Sequence, residues 1–148
     1  MISESLNRLQ WLCANISPLL EAIPEDEFSS KPAADKWSKK EILGHLIDSA
    51  ANNHHRFVRM QFDDNYSITS YDQNKWVIYS YHQLADKQEL IIMWKTYNLF
   101  LTSLMGNVAD DMLNRKASTG DGRTVTLAWL FNDYVAHAEH HLKQIVSY

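Results

Sequence analysis

Apolar residues recur along this chain at helical rather than strand spacing. Leu6, Leu9, Leu12, Ile16, Leu19, Leu20 and Ile23 mark a first amphipathic helix from about Ser3 to Ile23. Pro18 should kink or shorten it, because proline lacks an N–H and crowds the preceding turn. Pro24 and Glu25-Asp26-Glu27 read as its exit, and Phe28 to Lys36, containing Pro32, as a connecting loop. The second helix has the clearest start: Ser38 can cap, Glu41 can return the bond, and Trp37 and Ile42 can form a hydrophobic staple. It runs on through Leu43, Leu46, Ala50, Phe57 and Met60. A third helix should begin near Ser80 to Gln83 and pass Leu84, Ile91, Trp94, Tyr97, Leu101 and Leu104 to Met105, with Gly106-Asn107 suited to its end. Asp121-Gly122 marks a turn, after which Thr124 or Thr126 can cap a fourth helix reaching Ile145. Four helices of about 20 residues make a four-helix bundle the economical architecture.

Between the second and third helices, residues 62–81 read as a long irregular connection. It carries Phe62, Tyr66, Tyr71, Trp76, Tyr79 and Tyr81. Such a loop can be a lid or pocket wall; equally, its rings can cover the end of the bundle.

Composition narrows the picture without supplying chemistry. A chain of 148 residues with 45% hydrophobic and 22% charged residues fits one all-α domain over residues 1–148. The net charge of −4 comes with scattered lysines and no basic stripe, so no nucleic-acid partner is expected. No apolar run approaches the roughly 20 residues that cross a bilayer, so no membrane partner is expected either. The first residues lack the basic start and apolar block of a signal peptide. Cys13 is the only cysteine, which leaves no internal disulfide and makes the cytoplasm the natural compartment. In an apolar helix, Cys13 reads as core rather than nucleophile.

The histidines carry the chemistry. Three of the seven fall within five residues of the fourth helix, at His137, His140 and His141. At about 100° per residue, His141 lies about 40° from His137, inside the arc of Leu127, Leu130, Tyr134 and Ile145. His140 lies about 60° to the other side, so phase favours His137 and His141 as inward-facing. Two imidazoles four residues apart can grip a metal ion but cannot complete its coordination. On the second helix, His45 borders the apolar arc, with Ser49, Asn52 and Arg56 on nearly the same line. His54 lies opposite it and His55 well to its side. The ligand set this selects is His45, His137 and His141. Three neutral imidazoles with an open fourth position match a catalytic zinc site better than a closed structural one, although nickel, cobalt, copper or iron would also accept them. Buried hydrogen bonds in a metal-free protein would satisfy the same pattern.

Three separated segments resemble the DinB-like superfamily. Lys36-Trp37-Ser38-Lys39-Lys40-Glu41-Ile42-Leu43-Gly44-His45-Leu46-Ile47-Asp48-Ser49 is similar to its second-helix signature. His137-Ala138-Glu139-His140-His141-Leu142-Lys143-Gln144-Ile145 is similar to its last helix, and Tyr71-Asp72-Gln73-Asn74-Lys75-Trp76-Val77 to a segment of related members. The resemblance implies a four-helix bundle with a divalent metal, zinc or nickel first, held by His45, His137 and His141. It also implies a small-molecule substrate. Characterised relatives include metal-dependent transferases that add a low-molecular-weight thiol, such as bacillithiol, mycothiol or glutathione, to electrophiles in detoxification.

A thiol at the fourth position would lose its proton near neutral pH, so the chain needs no nucleophilic cysteine of its own. Arg56, Asn52 and Tyr134 could contact polar parts of that thiol, and Asp48 could orient a metal-bound imidazole or bond a neighbouring helix. The competing readings are a metal-dependent hydrolase and a non-catalytic, stress-associated metal- or ligand-binding bundle. An exposed bundle face could pair two chains as a homodimer.

Overall fold

The computed structural model describes every residue from Met1 to Tyr148. Four long helices form its body: α1 (Ser3–Glu21), α3 (Lys39–Arg59), α5 (Lys87–Gly106) and α6 (Leu127–Ile145). Two short ones, α2 (Glu25–Ser29) and α4 (Gln73–Tyr79), fill the connections. Strands β1 (Ser67–Ile68), β2 (Lys116–Thr119) and β3 (Thr124–Thr126) form a small sheet in the order β1-β2-β3. β1 pairs parallel to β2, and β2 pairs antiparallel to β3.

The long helices bury their apolar stripes against one another, α1 and α3 each packing on both α5 and α6. One part of the core gathers Leu9, Phe57, Met60, Leu101 and Phe131. The other gathers Leu12, Ile16, Phe28, Leu43, Leu46, Trp94 and Leu142. Phe28 explains α2: acidic residues suit its first turn, and the single buried ring at its end pins it to the core. The stretch after Pro24 is thus a helix where a loop exit was expected. Pro18 neither stops nor shortens α1 by more than a turn, because it lies close to the helix end.

The boundary signals of α3 and α6 act as the sequence indicates. Ser38 accepts from the Glu41 amide, and the Glu41 carboxylate accepts from the Ser38 amide at 2.9 Å. Thr126 caps α6 by accepting from the Trp129 amide at 3.1 Å. Asp86, rather than a residue near 80–83, caps α5, so this helix begins later than its apolar pattern indicates.

Two expectations are corrected. The domain is not all-α, because residues 116–126 form a hairpin around Gly122, whose φ of +84° suits glycine. Nor is 62–81 an irregular connection: it contains β1 and α4, the latter capped by Asp72. Its aromatic residues divide in role. Tyr66 is buried, Tyr71 and Trp76 meet edge to face at 5.7 Å, and Phe62, Tyr79 and Tyr81 are exposed. Tyr81 adopts a left-handed φ of 56°, uncommon for a non-glycine residue, and turns the chain so that His82 points back onto α3. No helix is long and apolar enough to cross a membrane.

Candidate metal centre

The second turn of α3 and the C-terminal half of α6 bring His45, His137 and His141 together. One nitrogen from each lies within 4.8 Å of the others, and their ring centroids are 4.6–5.2 Å apart. His45 is fully buried, while His137 and His141 are partly exposed, so the cluster opens on the α6 side. The Nε2 atoms of His45 and His137 face each other at 3.4 Å. Two imidazoles bound to one tetrahedral ion at about 2.0–2.1 Å would place their nitrogens about 3.3–3.4 Å apart. The donor set therefore fits a divalent transition metal in kind, and the His45–His137 pair fits it in spacing.

Electrostatics favours the neutral, metal-binding form of all three rings. Burial, reinforced by His141 and His137, pushes His45 down to about 3. Burial and the neighbouring His141 and His140 push His137 down to about 4. His141 is lowered by burial too, against the raising effect of its bond to Gln144. That bond, 2.9 Å from Nδ1 to the Gln144 Oε1, requires Nδ1 to carry the proton and so leaves Nε2 with its lone pair free. Gln144 also reaches His140 at 3.3 Å. His140 is exposed, outside the cluster, as helix phase indicates. The His45 Nδ1 is buried with no hydrogen-bond partner, and Trp37 covers the ring with centroids 4.9 Å apart.

The remaining candidates make their hydrogen bonds outside the cluster. Asp48 is buried and accepts from the His82 Nε2 at 2.9 Å, so its partner is an imidazole from the 3-10 turn His82–Leu84 rather than one of the cluster. Gly44 makes this approach feasible: a Cβ there would meet three atoms of His82 at 2.2–2.6 Å. Tyr134 is buried and donates to the Asn98 Oδ1 at 2.6 Å, which occupies its phenol. Asn52 donates to the Asp48 carbonyl at 2.9 Å. Arg56 donates to the Thr69 carbonyl at 2.9 Å. Glu139, on the opposite side of α6, is bound by Arg8 and Lys143 and held down to about 2, chiefly by Arg8.

Two cavities adjoin the cluster. An open cleft of about 620 Å³ is lined by Trp37, Ile42, Asn74, His141 and Gln144 among others. On the other side, a chamber of about 130 Å³ is bounded by Ser49, Arg56, Tyr71, Asp133, Tyr134 and His137. Sequence reasoning missed Gln144, Trp37 as the cover of His45, and Asp133. The first had a signal in its three-residue spacing from His141. The others depend on how separate elements meet.

A family model described as the DinB superfamily matches residues 8–145. The chain belongs to the DinB superfamily. Its relatives include YfiT of Bacillus subtilis, named as a candidate metal-dependent hydrolase. It is 22% identical over 140 residues, which are 94% of this chain and 79% of that protein. A Halalkalibacterium halodurans protein with the same designation is 21% identical over 95% of this chain and 81% of its own length. The solved structure of YfiT, described as an unusual four-helix bundle, superposes with a TM-score of 0.86 at 21% identity, covering 96% of this chain and 82% of that one. A mycothiol-dependent maleylpyruvate isomerase superposes with a TM-score of 0.79 at 14% identity; the match takes in 99% of this chain but only 61% of the isomerase.

Proposed function

We propose that this protein is a metal-dependent enzyme that transfers a low-molecular-weight thiol to a small electrophile, with His45, His137 and His141 holding a divalent zinc or nickel ion. The observation that carries this reading is the convergence of three neutral imidazoles at the junction of two cavities. The metal, when bound, supplies Lewis acidity that favours the anionic form of an incoming thiol.

Everything else falls to the chain. Gln144 holds His141 in the tautomer that presents Nε2, and Trp37 screens His45 from water. The cleft beside His141 is wide enough for a thiol to approach from solvent. Neither Asp48 nor Glu139 is placed to act as a base: neither lines the cleft or the chamber, Asp48 is buried against His82, and Glu139 is bound by Arg8 and Lys143. Cys13 is buried, and burial pushes its thiol up to about 12, so a thiol nucleophile must come from outside the chain.

A hydrolase is the second reading. It is favoured by Asp133, an exposed carboxylate that lines the chamber next to His137, and by the designations of the relatives. One experiment separates the two. Untagged protein is loaded with zinc or nickel and assayed with 1-chloro-2,4-dinitrobenzene plus a panel of thiols, and in parallel with 4-nitrophenyl esters without thiol. Thiol-dependent product that is lost in His137→Ala supports transfer. Ester hydrolysis without thiol that falls in Asp133→Asn replaces transfer with hydrolysis. Metal content that survives a His45/His137/His141 triple alanine substitution removes the site altogether.

A further inference from the structure

The five arginines of this chain are not alike. Arg8, Arg59, Arg115 and Arg123 each reach a carboxylate, on Glu139, Asp63, Asp64 and Asp121 respectively. Arg56 reaches none. Its guanidinium donates to the Thr69 carbonyl, makes a long 3.4 Å contact with Asn53, and lies 5.7 Å from the Tyr71 ring centroid. A guanidinium offers five N–H donors, and the two bonds formed leave the rest for a ligand.

Its position gives the free charge a direction. Arg56 is the one residue that lines both the chamber next to His137 and a polar groove of about 430 Å³ on the outer side of α3. In the groove the other strong charges, Arg59 and Asp63, cancel each other. Asn52, Asn65 and Ser67 add neutral polar groups, and Trp76 forms an apolar wall. A molecule seated across Arg56 from chamber to groove would thus have one end beside His137 and meet at the other a guanidinium that forms no salt bridge.

We infer that Arg56 is a specificity-determining residue that binds the carboxylate of a small organic acid and points its other end at the three-histidine centre. This deepens, and rests on, the enzymatic reading of that centre. One free positive charge matches a monoanion, and the flat guanidinium fork matches a carboxylate through paired N–H···O bonds. Asp133 faces the same chamber; its negative charge disfavours the reverse orientation, with the acid end at His137.

The test is binding, followed by amide chemical shifts of 15N-labelled protein titrated with propionate and, as the neutral control, propionamide. Both titrations are run on metal-free and zinc-loaded protein. Propionate should shift the amides of Arg56, Thr69 and Asn65 saturably, and propionamide should not. Arg56→Gln should weaken propionate at least tenfold, with Arg56→Lys intermediate, while zinc uptake by both variants stays as in wild type. Equal binding of the two ligands, or undiminished binding to Arg56→Gln and Arg56→Lys, overturns the assignment. If zinc fails to bind wild-type protein but propionate still occupies Arg56, the metal reading falls and the carboxylate site stands. Should Arg56→Gln lose its dispersed spectrum, Arg56→Lys with the propionamide control decides the matter.

Discussion

Gly44→Ala should destabilise this protein even though alanine is the better helix former. An added Cβ would lie 2.2, 2.4 and 2.6 Å from the Cγ, Cδ2 and Cβ of His82. Of these, the His82 Cβ is fixed by the backbone, so side-chain rotation cannot clear the 2.6 Å approach and the 3-10 turn itself must withdraw. Overpacking of this kind costs about 1–3 kcal/mol. Withdrawal also breaks the 2.9 Å bond to Asp48, which is buried to 4% exposure and has a second carboxylate oxygen already without a partner. Leaving that group unsatisfied adds about 1–3 kcal/mol. Against these stands about 1 kcal/mol of helix propensity. The net loss is therefore about 1–5 kcal/mol, or roughly 3–15 °C in Tm at about 3 °C per kcal/mol. Thermal and urea denaturation of wild type, Gly44→Ala, His82→Ala and the double variant would measure it. The cycle isolates the ring's share of the clash: in the His82→Ala background, where only the Cβ still faces the added methyl and the bond to Asp48 is already gone, Gly44→Ala should cost clearly less than in wild type. An equal cost in both backgrounds would refute the argument, as would wild-type stability of the single variant.

Three further outcomes are expected. Gln144→Leu should weaken zinc binding about 10–100-fold, because His141 loses the acceptor that fixes its tautomer; His140→Ala should change it little, and competition with a chromogenic chelator reads both. Zinc at 100 times its Kd should stabilise the fold by about 2.7 kcal/mol, with EDTA reversing the gain and His137→Ala abolishing it in differential scanning calorimetry. Cys13 is held by burial in its thiol form, pushed from 9.0 up to about 12. It should resist a thiol reagent at pH 8 until the protein unfolds, and it should make stability fall as pH rises past 9, where only the unfolded thiol ionises. The slope approaches about 1.4 kcal/mol per pH unit before pH 12 and should be reduced in Cys13→Ala.

How much of this was legible in the sequence depends on the range over which each feature is decided. Four helices and the inward set His45, His137 and His141 follow from a regular rotation per residue, which acts within one element and is therefore written in spacing. The capping box at Ser38 and Glu41 and the cap at Thr126 are equally local. The two- to four-residue strands and the five-residue α2 have no room for a period; β1 exists because β2 lies alongside it, and α2 because Phe28 is buried. His82 is the instructive case. Nothing around it marks it, and it reaches Asp48 only because Tyr81 turns left-handed and Gly44 offers no side chain. The usable signal was on the other partner: a glycine inside a strong helix, one residue before a proposed ligand, costs stability and so implies that something packs against it.

Arg56 extends the point. Its phase places it on the polar stripe with His45 and Asn52, but phase cannot say that it lacks a counter-ion. That becomes visible only when the other four arginines have found their acids. A charge near a proposed reaction centre that no internal carboxylate has claimed is open to a ligand from outside. That leaves Arg56 as the place to look for the substrate.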